Sequence, residues 1–185
     1  MGACHTQPTQ LSSSEYMRWV KNPSNKLYQQ KEIGDYRYEL QYKPPAYMAY
    51  MEQSSQKKLD TLQFQHRKKE LENTWQFNLM LAHKEYGNIL NQQLGETYFE
   101  RLSYLVTNIQ TDLMLVADQD TLSCVLYHVE RNYNLAPYTN ILIGFERKNT
   151  HKELTLIYND RLLGAGPLMF KYPANQLIKL PTLDI

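Results

Sequence analysis

Long apolar runs, cysteines and net charge are all scarce in this chain, and each scarcity excludes a class of protein. No apolar run approaches the roughly 20 residues of a bilayer-spanning helix, and the first residues lack the apolar core of a secretory signal. Two cysteines among 185 residues cannot build a disulfide framework. No Cys-x-x-Cys or His-Glu-x-x-His spacing occurs, so no zinc site is predicted, and no cofactor motif is present. The Gly-x-Ser-x-Gly elbow of serine hydrolases is missing. Charge balances as well: 20 Lys plus Arg stand against 19 Asp plus Glu, for a formal +1. Without a basic surplus there is no long-range field to draw the chain to a polyanion, so nucleic acid is not an expected partner.

Tyrosine is what the sequence has in quantity, 15 residues against 5 Phe and 7 Gly. An amphipathic ring in such numbers suits a β-rich body with half-buried aromatics, or a contact surface. The length is ordinary for one domain with a real core.

The opening stretch MGACHTQPTQLSSS speaks to location. Gly2-Ala3-Cys4 matches the end of a bacterial lipoprotein signal, where small residues precede the cysteine that becomes acylated. MGACHT also satisfies the Met-Gly-x-x-x-Ser/Thr pattern of myristoylation, with Cys4 open to palmitoylation. The plain alternative is a lone cysteine in a polar tail. The lipoprotein reading is favoured, because HTQPTQLSSS is polar in the way a tether leaving a membrane should be. Residues 1–14 are therefore assigned to a flexible tether and 15–185 to a single β-rich domain.

Along that domain, Ser12 and Glu15 have capping-box spacing ahead of a short helix in EYMRWV. The stretch EIGDYRYELQYKPP alternates, with Tyr36, Tyr38, Leu40 and Tyr42 on one face, and predicts a half-buried strand ended by Pro44-Pro45. From Pro45 to about Glu72 the spacing of Met48, Met51, Leu59 and Leu62 predicts one long helix along an edge. TWQFNLMLAHKE alternates again, and LGETYFERLSYLVTN carries a helical stripe of Leu94, Tyr98, Leu102 and Leu105. Five more strands are predicted in DLMLVAD, LSCVLYHVE, TNILIGFER, ELTLIYND and GPLMFKYP. Short polar loops between them favour antiparallel meander connections. The expected class is α+β: a mainly antiparallel sheet or sandwich of at least seven strands with two packed helices.

Candidate chemistry is thin. His-x-Glu recurs at His83, His128 and His151, which reads more simply as surface ion pairs and strand-end polar residues than as metal ligation. Asp118 and Asp120, with Asp112 nearby, lack the calcium-loop pattern and read as a solvated turn. Cys124 sits in an apolar run and reads as a buried thiol. Gly164-Ala165-Gly166-Pro167 carries no Lys-Ser/Thr and reads as a turn rather than a phosphate cradle. No residue is assigned a catalytic role. The one surface cue is aromatic: Tyr47 and Tyr50 beside Pro44-Pro45, and Tyr133 and Tyr138 in RNYNLAPYTN, are candidate ligand or partner contacts.

At KEIGDYRYELQYKPPAYMA the sequence resembles a group of small lipoproteins from the Bacteroidetes, which similarly join a Trp-containing opening helix, a Gly-Asp-aromatic strand and a Tyr-Lys-Pro end. YNDRLLGAGPLMFKYPANQLIKLP is similar to their closing hairpin, and the resemblance spans Trp19 to Pro181. It implies a lipid-anchored protein of the bacterial cell envelope, at the outer membrane, and it supplies no catalytic residues. The expectation is thus a non-catalytic binding or accessory subunit, with the membrane and an envelope protein as partners. A carbohydrate-binding or glycan-processing protein is the alternative, and a myristoylated eukaryotic adaptor a further one.

Overall fold

The computed structural model describes residues 10–54, 59–91, 95, 97–130, 135–147, 153–173, 176–177 and 180–185. Its elements in chain order are β1 (Gln10–Leu11), α1 (Ser13–Lys21), β2 (Tyr28–Ile33), β3 (Tyr36–Tyr42), α2 (Pro45–Gln53), α3 (Thr61–Leu71), β4 (Thr74–His83), β5 (Gly87–Asn88), α4 (Tyr98–Thr107), β6 (Leu113–Ala117), β7 (Asp120–Val129), β8 (Thr139–Glu146), β9 (Glu153–Asp160), β10 (Gly166–Pro173) and β11 (Thr182–Leu183). The class is α+β and mainly antiparallel β, as the alternation implies.

Eight strands follow the order β10-β9-β6-β7-β8-β4-β3-β2, with β5 paired to β4. Every pairing in this sheet is antiparallel. It is not the simple meander expected from the short loops, because β6 lies beside β9 and β8 beside β4. The sheet coils until its two ends meet. Gln29 on β2 donates its side-chain amide to the Lys171 carbonyl on β10 at 2.7 Å, and the Tyr172 hydroxyl donates to the Leu40 carbonyl on β3. The coiling has a visible local cause at β7, which pairs β6 through its first half and β8 through its second. A bulge between Cys124 and Leu126 separates the halves, and bulges bend a strand and increase its twist.

The enclosed face carries the alternating residues. Trp75, Phe77, Leu79 and Leu81 of β4 are wholly buried, as are Tyr38 and Leu40 of β3. Phe77 lies at the centre of an aromatic group, with ring centroids 5.4 Å from Tyr42, 6.3 Å from Phe145 and 5.6 Å from Tyr172. Each such pair adds about 0.5–1.5 kcal/mol beyond area burial. The last of these contacts joins β4 to the end strand β10, which are not neighbours in the sheet, so packing and closure are one event.

Two expectations are corrected here. EIGDYRYELQY is not one strand but the turn and second arm of a hairpin. Ile33 and Tyr36 pair across Gly34-Asp35, and Gly34 sits at φ +56, the backbone region that a tight hairpin demands of its first turn residue. The first arm, β2, is a polar edge strand that alternation does not reveal. The long helix across Pro45–Glu72 is likewise two helices, α2 and α3, which with α1 and α4 makes four α-helices among the described residues. α2 ends at Gln53, and Asp60 caps α3 by accepting from the Gln63 N–H at 3.1 Å. Buried Gln53 accepts the Asp60 N–H, and Arg67 reaches back to Glu52 at 2.7 Å. The chain thus reverses and packs Phe64 and Leu71 against Ala49. The helix at α1 follows the capping box: Glu15 accepts from the Ser12 backbone N–H at 3.0 Å.

Candidate functional site

A cleft of about 560 Å³ opens where the end of β3, α1, the last turn of α3 and the C-terminal segment converge. Local sequence explains each contribution. β3 runs out at Tyr42, Lys43 extends its ladder by donating to the Gln76 carbonyl, and Pro44-Pro45 then forces the turn into α2. β8 runs out at Glu146, and the Arg147 N–H donates to the Asn73 carbonyl just after α3. The parallel pair β1–β11, locked by the Asp184 N–H on the Leu11 carbonyl, brings Thr182 and Leu183 to the cleft.

Tyr16, Tyr42, Pro44, Pro45, Leu180 and Leu183 give the cleft an apolar lining, into which Lys68, Glu72 and Arg147 place charge. Lys68 and Glu72 pair with each other at 3.8 Å. The Arg147 guanidinium lies over the Trp75 ring, 4.3 Å from its centroid. Burial pushes the Tyr16 and Tyr42 hydroxyls well above the ordinary phenol range, with Arg147 pulling the other way on Tyr42. These hydroxyls therefore stay protonated and can donate. The cleft offers donors, one permanent cation on an aromatic platform and apolar walls, which is recognition chemistry.

A second polar group lies inside the closed sheet. Asp160 accepts from the Tyr38 hydroxyl at 2.6 Å, the Tyr158 hydroxyl at 3.1 Å and the N–H groups of Leu162, Leu163 and Ala165. Asp112 accepts from the Tyr104 hydroxyl at 2.6 Å and pairs with Arg161 at 2.7 Å. The Gly-rich loop after β9 is thus a turn whose N–H groups wrap an internal carboxylate. These groups pair with one another, Asp112 Oδ1 through its ion pair with Arg161 rather than through a hydrogen bond, so the cluster reads as architecture.

Of the predicted contact tyrosines, the described Tyr47, Tyr50 and Tyr138 are not among the residues that line the cleft. Tyr47 is buried at 6 % exposure in the main core, with Lys43 over its ring at 5.0 Å. Its surface is therefore already covered by the fold. Tyr50 is half-buried against the small cluster between α2 and α3, and Tyr138 is half-buried ahead of β8. Cys4, Tyr133 and His151 lie outside the described residues. His83 caps a turn, its Nδ1 accepting from the N–H groups of Glu85 and Tyr86. Asp118 ties its turn to β9 through the Glu153 N–H, while Asp112 belongs to the buried cluster instead. Cys124 is buried and donates to the Leu126 carbonyl, and desolvation raises its thiol above the usual range.

No protein-family model matches the chain, and no curated protein does either. Among solved structures, a DUF4426 family protein from Pseudomonas aeruginosa PAO1 is similar at 8% identity, over 80% of this chain and 92% of that one, with a TM-score of 0.41. A likeness at that score carries no argument about either fold or function.

Proposed function

We propose that the chain is a non-catalytic binding domain of the bacterial cell envelope, anchored through lipid on Cys4, and that it receives its ligand or partner in the cleft. The observation that supports this reading is where the tether joins the body. Gln10 and Leu11 pair with Thr182 and Leu183, and the last two residues line the cleft. Cys4 lies six positions before Gln10, a separation of at most about 20 Å of extended chain. An acyl group on Cys4 would hold the cleft within that reach of the lipid surface. A binding site so placed meets whatever the membrane presents.

Photo-crosslinking in the native cells tests this. A benzophenone amino acid replacing Ala46 or Leu183 should capture a defined adduct, and Cys4→Ser should abolish the capture. Adducts formed only from Tyr138, on the other candidate surface, would overturn the assignment of the cleft.

A further inference from the structure

We propose that the cleft takes a monoanionic amphiphile with a carboxylate head, which Arg147 binds while Tyr16, Tyr42, Pro44, Leu180 and Leu183 cover the apolar body; this rests on the cleft being the binding site. The charge count points to a single negative charge. Of the three charged lining residues, Lys68 and Glu72 neutralise one another. No carboxylate among the described residues lies within ion-pair distance of Arg147, so one guanidinium is left for the ligand.

The way that guanidinium is held points to a carboxylate. Its guanidinium carbon is centred over the Trp75 ring, and a guanidinium presents a planar fork of N–H groups, the geometry that matches a carboxylate with two parallel hydrogen bonds. Among the described residues none accepts from those side-chain N–H groups. The indole N–H of Trp75 is buried without an acceptor, while the Arg147 side chain above it is half-buried at the cleft wall. Hydrogen bonds between a cation and an anionic oxygen are among the stronger ones, so an anionic oxygen arriving beside the guanidinium is favoured.

The remaining lining points to an amphiphile. Apart from the charged residues, Thr182 and the tyrosine hydroxyls, it is proline, alanine, leucine and tyrosine ring. A volume of about 560 Å³ suits a small molecule, since such sites usually enclose roughly 300–1,000 Å³. One fixed cation with apolar walls favours a ligand polar at one end only.

Isothermal titration of the full chain with decanoate, below its micelle concentration, tests the inference against decanol and decyltrimethylammonium. Decanoate should bind saturably at one site, decanol at least tenfold more weakly, and the cation not at all. Arg147→Gln should weaken decanoate about ten- to a hundredfold, the usual worth of a charge-assisted pair, whereas Lys171→Gln should leave it unchanged. Decanol or the cation binding as tightly as decanoate would overturn carboxylate recognition, and this comparison needs no variant to fold. Unchanged affinity in Arg147→Gln would overturn it as well. If none of the three binds while cleft crosslinks still form, the amphiphile inference falls and the cleft assignment stands. If both experiments fail, both readings fall.

Discussion

Replacing Asp160 should damage this protein more than any exposed substitution, and the cost can be reasoned out donor by donor. Its carboxylate accepts five hydrogen bonds. The Tyr38 and Tyr158 side chains are wholly buried, so their hydroxyls have no water to turn to when the acceptor goes. Each buried donor left unpaired costs about 1–3 kcal/mol, while the three N–H groups lie in a half-buried loop that water can partly serve. Asp160→Ala should therefore lose about 3–5 kcal/mol, a large share of the roughly 5–15 kcal/mol that holds a domain folded. Asp160→Asn keeps the shape but must aim an NH₂ group at some of the five donors, and should lose about 2–3 kcal/mol. The decisive assay is a double-mutant cycle by urea denaturation. Tyr38→Phe removes one of the stranded donors, so it should cost less in the Asp160→Ala background than in wild type, by about 1–2 kcal/mol. Strict additivity, or an Asp160→Ala loss below about 1 kcal/mol, would show that the cluster is not held together by this carboxylate.

Three further outcomes follow from the same geometry. Gly87→Ala should cost about 1–3 kcal/mol in denaturation, because the residue sits at φ +69 and an added Cβ would meet the Pro137 backbone at 3.1 Å; Gly34→Ala, at φ +56 with nothing nearby, should cost less. Tyr47→Ala should lose about 3–5 kcal/mol as a core truncation, and circular dichroism melts would show it; a fully stable variant would mean that the ring is not core. Lys43 is half-buried, and its partial desolvation, with Lys21 adding repulsion, pulls its ammonium down from 10.5 to about 8. The unfolded chain then binds more protons than the folded one between those values, so the penalty of burying this charge is present below about 8 and fades as pH rises. Wild type should gain stability relative to Lys43→Met as pH rises from about 8 towards 9.5, before the buried tyrosines begin to oppose it; parallel profiles would refute the burial of the charge.

The strands were legible because closure buries one face of each, and a buried face imposes period two. β3, β4, β9 and β10 all show it, and Trp75, Phe77, Leu79 and Leu81 lie on the inner face that the spacing assigned them. β2 was hidden because an edge strand of Gln, Lys and Glu packs little and so needs no apolar alternation. The break between α2 and α3 was hidden for another reason. Buried Gln53 and the capping carboxylate of Asp60 create it, and neither disturbs the apolar spacing enough to end a helix on paper. The buried Asp160 cluster was half visible: the turn after β9 could be read from its glycines, but not the carboxylate around which it folds. The cleft was not legible at all. Tyr16, Tyr42, Lys68, Arg147 and Leu183 come from five distant segments, and only the coiling of the sheet and the β1–β11 pairing bring them together. Tyr47 is conspicuous in the sequence because it follows Pro44-Pro45, but that position says little about whether the fold covers the ring, and the fold buries it.

The most direct test of the account is an amide chemical-shift map of the ¹⁵N-labelled chain as decanoate is added. The account predicts the largest shifts at Tyr42, Ala46, Arg147 and Leu183, saturating together at one affinity. Shifts centred on Tyr50 or Tyr138, or no saturable shift anywhere, would contradict it.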